Sequence, residues 1–258
     1  MIQYKTNYDK WAKYYDLIYE ITPPDDSKIY KKYIKNSKSV LEMGIGTGRI
    51  LLDFIQSNIQ WTGIDNSEAM IEICKEKLEP LQPLKENVYL IKEDMAKLDI
   101  KKEKNSILNK TFDLIIYPSH SLMSVGEEKE QIKAICSGLK HLSNEGILIF
   151  DLHNPNNYLL NNEYQLLGSK TIKNKKYLLH SKSDVDFEKK LHSNHQILET
   201  ERDKIELKSH EYFLYLEDVI RISDELGFEI VNLYGNYNFE IFNEFSEEMI
   251  FICKKKHG

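Results

Sequence analysis

Short apolar runs and helix-spaced apolar stripes alternate along the first two thirds of the chain. The short runs predict five strands, at residues 40–43, 61–65, 88–95, 112–117 and 147–152. Apolar residues at helical spacing between them predict helices that begin near Thr47 and Ser67 and one that spans 127–142. Because strands alternate with helices, we expect a mostly parallel sheet with helices on both faces.

The alternation stops after Pro155. Two long segments with polar alternation, 177–187 and 196–207, predict a small antiparallel sheet with one wet face. A helix at 216–226 and a pair of strands at 228–234 and 249–254 follow. The predicted fold is therefore α/β, a seven-stranded mostly parallel sheet with an antiparallel sheet inserted after its fifth strand.

These patterns predict a single domain over residues 1–258 with four parts. We expect a helical N-terminal segment at 1–36, a ligand-binding core at 37–158, the inserted sheet at 159–215, and a helix with two strands at 216–258.

A glycine-rich turn follows the first predicted strand. Gly44, Gly46 and Gly48 allow backbone conformations that a β-carbon disfavours, and they let a ligand lie against bare backbone. The helix that follows directs free N–H groups toward such a ligand. The glycine spacing differs from the G-x-G-x-x-G pattern of dinucleotide-binding folds, which indicates a different ligand.

Carboxylates near the ends of three predicted strands define that ligand further. Glu42 or an ordered water can serve an ammonium group, and Asp65 can accept hydrogen bonds from both hydroxyls of a ribose. Asp94, with Met95 beside it, suits the amino group of an adenine. A nucleoside joined to an amino acid fits all of these groups, and S-adenosylmethionine is such a molecule.

The same segments resemble the class I, Rossmann-like S-adenosylmethionine-dependent methyltransferases. The resemblance covers roughly residues 38 to 155 and rests on four motifs, Glu42-Met-Gly-Ile-Gly-Thr-Gly48, Gly63-Ile-Asp-Asn-Ser-Glu-Ala-Met70, Lys92-Glu-Asp-Met95 and Phe112-Asp-Leu-Ile-Ile-Tyr-Pro118. It implies a Rossmann-like fold, S-adenosylmethionine as cofactor and S-adenosylhomocysteine as product.

Aromatic residues share one face of the first predicted helix. Tyr8, Trp11, Tyr15 and Tyr19 recur at helical spacing, as in a helix that packs on the core. The segment also resembles the N-terminal region of small-molecule methyltransferases, in which such a tyrosine reaches the methionine carboxylate. For Tyr15 both interpretations, lid and core, stay open. Together with the inserted sheet, this layout resembles N-methyltransferases that act on glycine or on amino sugars.

Two groups of candidate site residues follow. The predicted cofactor contacts are Tyr15, Glu42, Gly44, Gly46, Gly48, Asp65, Asn66, Asp94, Met95 and Tyr117. The candidate catalytic residues are His120, His153 and Tyr15, since a histidine near neutral pH can serve as a general base. The alternative for each histidine is a rim residue bonded to backbone. We expect no metal site, because the remaining histidines are scattered without cysteines or paired carboxylates.

Composition limits the partners and the compartment. The net charge is −6 and lysines alternate with acids, so nucleic-acid binding is not expected. No apolar run is long enough to span a membrane and no apolar signal opens the chain. Cys74, Cys136 and Cys253 are isolated, which predicts buried thiols in a reducing, cytoplasmic compartment. We expect a monomer or homodimer, and a surface loop at the polar stretch 101–110.

The predicted function is methyl transfer from S-adenosylmethionine to a small-molecule acceptor, at nitrogen or oxygen, by in-line displacement in a lidded pocket. Two alternatives stay open. One is a methyltransferase that modifies RNA or protein, and the other is a protein that binds S-adenosylmethionine without turnover.

Overall fold

The computed structural model describes residues 6–56, 58–81, 84–100, 111–158 and 161–256, so the predicted loop at 101–110 lies outside the described residues. The strands are β1 Ser39–Met43, β2 Gln60–Asp65, β3 Val88–Lys92, β4 Phe112–Tyr117, β5 Leu142–His153, β6 Asn161–Ile172, β7 Lys175–Asp186, β8 Leu191–Glu199, β9 Lys204–Tyr212, β10 Phe228–Tyr234 and β11 Glu248–Lys255. The helices are α1 Tyr8–Ile21, α2 Ser27–Ile34, α3 Arg49–Phe54, α4 Glu68–Leu78, α5 Glu128–His141 and α6 Leu216–Leu226.

Seven strands form the central sheet, in the order β10-β11-β5-β4-β1-β2-β3. Strand β1 pairs in parallel with both β2 and β4, and β3 and β5 extend the parallel set on either side. Strand β11 runs antiparallel to its neighbours β5 and β10. The predicted seven-stranded, mostly parallel sheet is confirmed.

The two faces of the sheet carry separate apolar layers. Leu41 and Met43 of β1 belong to a cluster that includes buried residues of α5 and α6, such as Ile135 and Val219. Val40, the residue before Leu41, packs with α2, α3 and α4 on the opposite face. This is the alternation that a strand covered on both sides requires. Each fully buried aliphatic side chain contributes about 1.5–3 kcal/mol relative to an exposed one.

The inserted sheet has four antiparallel strands in the order β6-β7-β8-β9. The prediction of one long strand over 196–207 is wrong, because a tight turn divides this segment between β8 and β9. In that turn the hydroxyl of Thr200 accepts a hydrogen bond from the Asp203 backbone N–H at 3.0 Å. A threonine hydroxyl can stabilise a turn in this way without glycine or proline, so the turn leaves little trace in the sequence.

Helix α1 lies between the inserted sheet and α4. Trp11 packs in one apolar cluster with Leu198 of β8 and Met70 of α4. Its indole N–H donates a hydrogen bond to the Lys208 carbonyl of β9 at 3.3 Å. The helix therefore connects the inserted sheet to the core.

Two predicted strand ends differ from the structure. Strand β3 ends at Lys92, and Asp94 lies in a turn where its carboxylate accepts a hydrogen bond from Ala96 N. Strand β5 begins at Leu142, before the predicted turn at 144–146, because Leu142 already pairs with Phe112 of β4. Each of the described helices is too short or too polar to span a lipid bilayer.

Candidate active site

A cleft opens where the parallel strands end, and we call it the first cleft. Parallel strands place their carboxyl ends at one edge of the sheet, so the segments after β1, β2, β3 and β4 meet there. The first cleft encloses about 720 Å³, including space open to solvent.

The glycine turn after β1 forms one wall of the first cleft. Gly44 has a φ of +85°, and a Cβ built on it would lie 2.8 Å from the Cβ of Ser121. Both the backbone conformation and the close approach therefore require glycine at this position. Gly46 has a φ of +55° and lies against the ring of Tyr15.

Asp65, at the end of β2, holds this turn in place. One carboxylate oxygen accepts a hydrogen bond from Gly46 N and the other from Ser67 N, each at 2.9 Å. Burial raises the pKa of Asp65 above its ordinary value, although the backbone N–H groups oppose this shift. A carboxylate has about four acceptor positions, so Asp65 can accept a further hydrogen bond from a ligand hydroxyl beside these backbone donors.

Seven of the ten predicted cofactor contacts line the first cleft. They are Tyr15, Gly44, Gly46, Asp65, Asn66, Asp94 and Met95. The remaining three, Glu42, Gly48 and Tyr117, do not line it.

Each of these three residues has a structural partner instead. Glu42 is buried and accepts a hydrogen bond from the indole N–H of Trp61 at 3.0 Å. Burial is the main cause that raises the pKa of Glu42 to about 8, so its carboxyl group is mostly protonated at neutral pH. Gly48 caps α3, and the buried hydroxyl of Tyr117 donates to the Ala134 carbonyl at 2.6 Å.

Several residues outside the predicted cofactor contacts also line the first cleft. Pro118 and Ser119 line it in place of Tyr117, the residue before them. Met70, which its position predicts to be core, is both buried in the apolar cluster and part of the cleft wall. Tyr8 closes one end, where its hydroxyl lies 2.7 Å from the Ser124 hydroxyl. The aromatic face of α1 was the one sequence signal for Tyr8.

Polar contacts fasten α1 across the first cleft. Near its start, Asp9 accepts a hydrogen bond from the Ser67 hydroxyl at 2.6 Å. About two turns further along α1, Asp16 accepts from the Thr47 hydroxyl at 2.7 Å and pairs with Lys77 at 2.7 Å. The helix is thus attached to the glycine turn and to the start of α4.

A second cleft lies on the other side of α1 and faces the inserted sheet. Tyr8, Tyr15 and Ser119 line both clefts, so the two meet at these residues. The rest of the second cleft comes from α1, from the ends of β4 and β5, and from β8 and β9. His120 and His153, the two candidate catalytic histidines, line the second cleft.

The two histidines form a network with buried acids. Their rings stack with centroids 3.6 Å apart. Nε2 of His120 lies 2.7 Å from the Glu248 carboxylate and 3.5 Å from that of Asp151, and Nδ1 of His153 lies 3.4 Å from Glu248. Asp151 also accepts hydrogen bonds from the hydroxyls of Tyr30 and Tyr237.

This network sets the charge of His120. Burial alone would favour the neutral ring, but Glu248 and Asp151 outweigh it and raise the pKa of His120 to about 10. Burial likewise opposes ionisation of Glu248, yet His120 and His153 lower the pKa of Glu248 to about 2. At neutral pH the pair is therefore an imidazolium and a carboxylate.

The same residues have the composition of a metal site. Donor atoms of His120, His153 and Glu248 lie within 4.8 Å of one another. Nε2 of His120 already contacts Glu248, and a metal would have to displace the proton that this ion pair holds on the ring. The geometry matches an ion pair between strand ends better than a coordination shell.

Arg49 is a functional neighbour that the motifs did not single out. Its guanidinium forms a two-pronged ion pair with the buried carboxylate of Asp26 and donates to the Ser119 hydroxyl at 2.7 Å. The guanidinium carbon also lies 5.1 Å from the centre of the Tyr19 ring. Arg49 therefore fixes Ser119 at the junction of the two clefts.

Comparison with known proteins agrees with this geometry. Residues 40–146 match the family model described as a methyltransferase domain. The putative methyltransferase YqeM of Bacillus subtilis (strain 168) is 26% identical over 147 residues, which cover 57% of this chain and 55% of that protein. The match thus spans little more than half the length of the curated relatives.

Solved structures share the whole fold at low sequence identity. The CcbJ methyltransferase from Streptomyces caelestis superposes with a TM-score of 0.82 at 19% identity, over 98% of this chain and 99% of that one. The sugar N-methyltransferase KedS8 from Streptoalloteichus sp ATCC 53650 gives a TM-score of 0.70 at 16% identity, over 94% and 93%. Residues 40–146 are thus similar to a methyltransferase domain, and the whole chain shares the Rossmann-like fold of these solved methyltransferase structures.

Proposed function

We propose that this chain transfers the methyl group of S-adenosylmethionine to a small-molecule acceptor at a nitrogen atom, with oxygen as the alternative. The junction of the two clefts at Tyr8, Tyr15 and Ser119 carries the proposal. A cofactor in the first cleft and an acceptor in the second would meet there. The description of KedS8 as a sugar N-methyltransferase supports a small acceptor with a nitrogen nucleophile.

The lining of the first cleft suggests how the cofactor binds. We place the ribose hydroxyls on Asp65 and the adenine against Asp94 and Met95. The amino-acid end would lie along the bare backbone of Gly44 and Gly46, where the turn approaches Ser121. Asn66, next to Asp65 in the same wall, is a further candidate contact to the nucleoside.

Tyr15 is the proposed lid residue. Its ring covers Gly46, and its hydroxyl donates to that of Tyr19 at 3.1 Å. Burial raises the pKa of Tyr15 well above its ordinary value, so the hydroxyl stays protonated and is a poor nucleophile toward the methyl group. The electron-rich ring face would attract the sulfonium, and the hydroxyl can reach the methionine carboxylate, as the family resemblance implies.

The transfer is a single displacement. The neutral nitrogen of the acceptor attacks the methyl carbon from about 3 Å, opposite the sulfur. The N–C bond forms as the C–S bond breaks, and the electron pair of the C–S bond passes to sulfur to give S-adenosylhomocysteine. The methylated nitrogen then carries the positive charge and loses a proton. The chain orients both partners and excludes water, while the cofactor supplies the reactive group.

The two candidate histidines take different parts in this scheme. His120, protonated up to about pH 10, holds Glu248 and shapes the second cleft rather than accepting a proton. His153 lines the same cleft and is the proposed acceptor of the departing proton. No resident metal is proposed, and chelators should leave turnover unchanged.

The other expectations complete the proposal. We propose one domain over residues 1–258, divided at 36, 158 and 215 into N-terminal lid, cofactor-binding core, inserted sheet and C-terminal part. The chain would work as a monomer or homodimer in the cytoplasm, with no nucleic-acid or membrane partner.

The cofactor half of the proposal predicts a thermal shift. At 100 times its Kd the cofactor adds about 2.7 kcal/mol, which corresponds to roughly 5–10 °C for a chain of this size. Asp65→Ala removes both the proposed ribose acceptor and the partner of Gly46 N, so the shift should disappear. Asp53→Ala, on the exposed side of α3, is the matched control and should keep it.

The transfer half is tested with S-adenosylmethionine labelled on the methyl group. Label should move to members of a panel of small amines, and Asp65→Ala should lower the rate at least a hundredfold. Label in RNA or in a protein substrate would replace this proposal by the macromolecular alternative. A thermal shift without transfer to any acceptor would indicate a protein that binds the cofactor without turnover.

A further inference from the structure

The face of the inserted sheet that packs against α1 changes from apolar to polar along its length. At one end Leu198 of β8 and Leu207 of β9 belong to the apolar cluster around Trp11. Further along the same face, Asn194 pairs with Ser209 and the next inward position of β9 is Glu211. These polar residues and Gln196 of β8 form the wall of the second cleft.

Two of these groups lack a full set of partners. The side-chain oxygen of Gln196 is buried and accepts no hydrogen bond within the described residues. Glu211 has one oxygen 3.3 Å from Nδ1 of His192, and no described residue donates a hydrogen bond to its other oxygen. A buried acceptor such as the Gln196 oxygen is nearly always satisfied in native proteins, so a ligand with a hydrogen-bond donor is expected beside Gln196.

Glu211 is held in its charged form. Burial alone would raise its pKa, but the hydrogen bond from His192 and the nearby His153 and His120 lower the pKa of Glu211 to about 2. Its side chain is only 18% exposed, so solvent screens this charge weakly. The carboxylate therefore presents a fixed negative charge to the second cleft.

The surroundings of the second cleft are also acidic. It adjoins a third cleft through Tyr19, Ser119 and His120, and the third cleft is lined by Asp25, Asp26, Glu240, Glu247 and Glu248. Within the described residues neither lining includes a lysine or an arginine, although the chain has 35 of them.

Ion pairs neutralise only part of this negative charge. Arg49 neutralises Asp26, His120 neutralises Glu248, and Lys28 lies 3.7 Å from Asp25. The negative charge of Glu211 is offset in part by His192, His153 and His120. Glu240 and Glu247 are exposed at the rim of the third cleft. The field at these clefts therefore favours cations and disfavours phosphate or carboxylate groups.

We propose that the second cleft selects an acceptor that carries at least two amino groups, one of which binds Glu211 as an ammonium ion. A donor on the same acceptor, hydroxyl or N–H, would satisfy Gln196. The aromatic residues of α1 would cover the carbon skeleton and favour the positive charge. This inference rests on the proposed function and names the class of acceptor for it.

Two amino groups are required by the chemistry. An ammonium ion has no lone pair to attack a methyl group, and a carboxylate as acidic as Glu211 does not remove its proton. The nitrogen on Glu211 is therefore an anchor, and a second, neutral nitrogen attacks at the junction of the clefts. Glu211 lines the second cleft but not the first, as an anchor to one side of the reaction should.

Three probes of similar size and different charge test this inference. 2-Deoxystreptamine has two amino groups, glucosamine has one and myo-inositol has none. Each is titrated at pH 7.5 into the full chain saturated with S-adenosylhomocysteine, and the Kd is measured by calorimetry or ligand-observed NMR. We expect 2-deoxystreptamine to bind at least tenfold more tightly than glucosamine, and myo-inositol to bind most weakly.

Glu211→Gln keeps an acceptor for His192 but removes the charge. It should reduce the difference between 2-deoxystreptamine and glucosamine to less than threefold, with an unchanged Kd for S-adenosylhomocysteine. Glu206→Gln, on the exposed opposite face of β9, is the matched control and should behave like the wild type. Gln196→Leu should weaken all three probes without changing their order.

The outcomes separate this inference from the proposed function. If S-adenosylhomocysteine does not bind, the proposed function itself fails. If it binds and the three probes bind equally, or none binds detectably, the inference is overturned while the cofactor site stands. An unchanged preference in Glu211→Gln would also overturn it.

Discussion

Ser119 and His120 adopt left-handed backbone conformations, with φ values of 52° and 59°. Such conformations cost about 1–3 kcal/mol each for residues other than glycine and persist where surrounding contacts enforce them. Here Arg49 holds the Ser119 hydroxyl, and the Asp151 carboxylate accepts a hydrogen bond from His120 N at 3.0 Å. This backbone places Ser119 where the clefts meet and directs the His120 ring toward Glu248.

The ion pair of His120 and Glu248 predicts a pH dependence of stability. The folded pKa of His120, about 10, exceeds its ordinary 6.5, so its contribution is complete below pH 6.5 and is lost as pH rises toward 10. The folded pKa of Glu248, about 2, lies below its ordinary 4.5, so its contribution is present above pH 4.5 and is lost as pH falls toward 2.

Urea unfolding of wild type and His120→Gln between pH 6 and 10 measures the first of these effects. As pH rises, the free energy of unfolding of the wild type should decline more steeply than that of the variant, by up to about 1.4 kcal/mol per pH unit. The reason is that only the wild type releases the proton of His120 when it unfolds. Parallel curves for the two proteins would contradict the assignment of His120 as an imidazolium.

Contacts on both sides of helix α1 hold it in position. Its apolar face packs on the inserted sheet and on Met70, while Asp9 attaches it to the N-cap of α4 and Asp16 attaches it to the glycine turn. The helix is therefore a wall shared by the two clefts. A change in how firmly it is attached should affect cofactor exchange before it affects overall folding.

Asp16→Ala tests this role. The Asp16 carboxylate is partly exposed, so its loss should cost less than about 1 kcal/mol of overall stability. Amide hydrogen exchange in α1 should nevertheless accelerate, and S-adenosylhomocysteine should dissociate roughly three to ten times faster, by the linkage of local opening to binding. Lys13→Ala, on the exposed face of the same helix, is the control. Equal dissociation rates in both variants would show that α1 does not retain the cofactor.

At the scale of the whole molecule, the chain combines two sheets whose strands differ in how well they are shielded from solvent. Strand β4 lies within the central sheet and is covered on both faces, whereas β6 is an edge strand of the inserted sheet. Tyr164, Leu166 and Leu167 of β6 are exposed by 42%, 57% and 48%.

This difference predicts the order of amide exchange. Amides of β4 should exchange only through global unfolding, while those of β6 should exchange at least a hundredfold faster through local opening. Hydrogen exchange with mass-spectrometric detection measures both segments in one experiment. Equal protection of β4 and β6 would indicate that the two sheets unfold as one cooperative unit.

The lining of the first cleft was largely predictable because its signals are local. Gly44, Gly46 and Asp65 each follow a strand directly, and parallel strands bring such positions to one edge. Two of the three predicted contacts that do not line the first cleft have partners distant in sequence. Glu42 accepts a hydrogen bond from Trp61, and Tyr117 donates one to the Ala134 carbonyl. The spacing of the motifs predicts neither contact.

The sequence by itself determined the alternation of strands and helices, the glycine turn and the break in pattern that marks the inserted sheet. These features follow from hydrophobic periodicity and from backbone chemistry within a few residues. Only the tertiary structure decided that Arg49 holds Ser119, that His120 is paired with Glu248, and that Glu211 faces α1. Their partners lie tens to hundreds of positions apart, and burial, not local pattern, sets their charge.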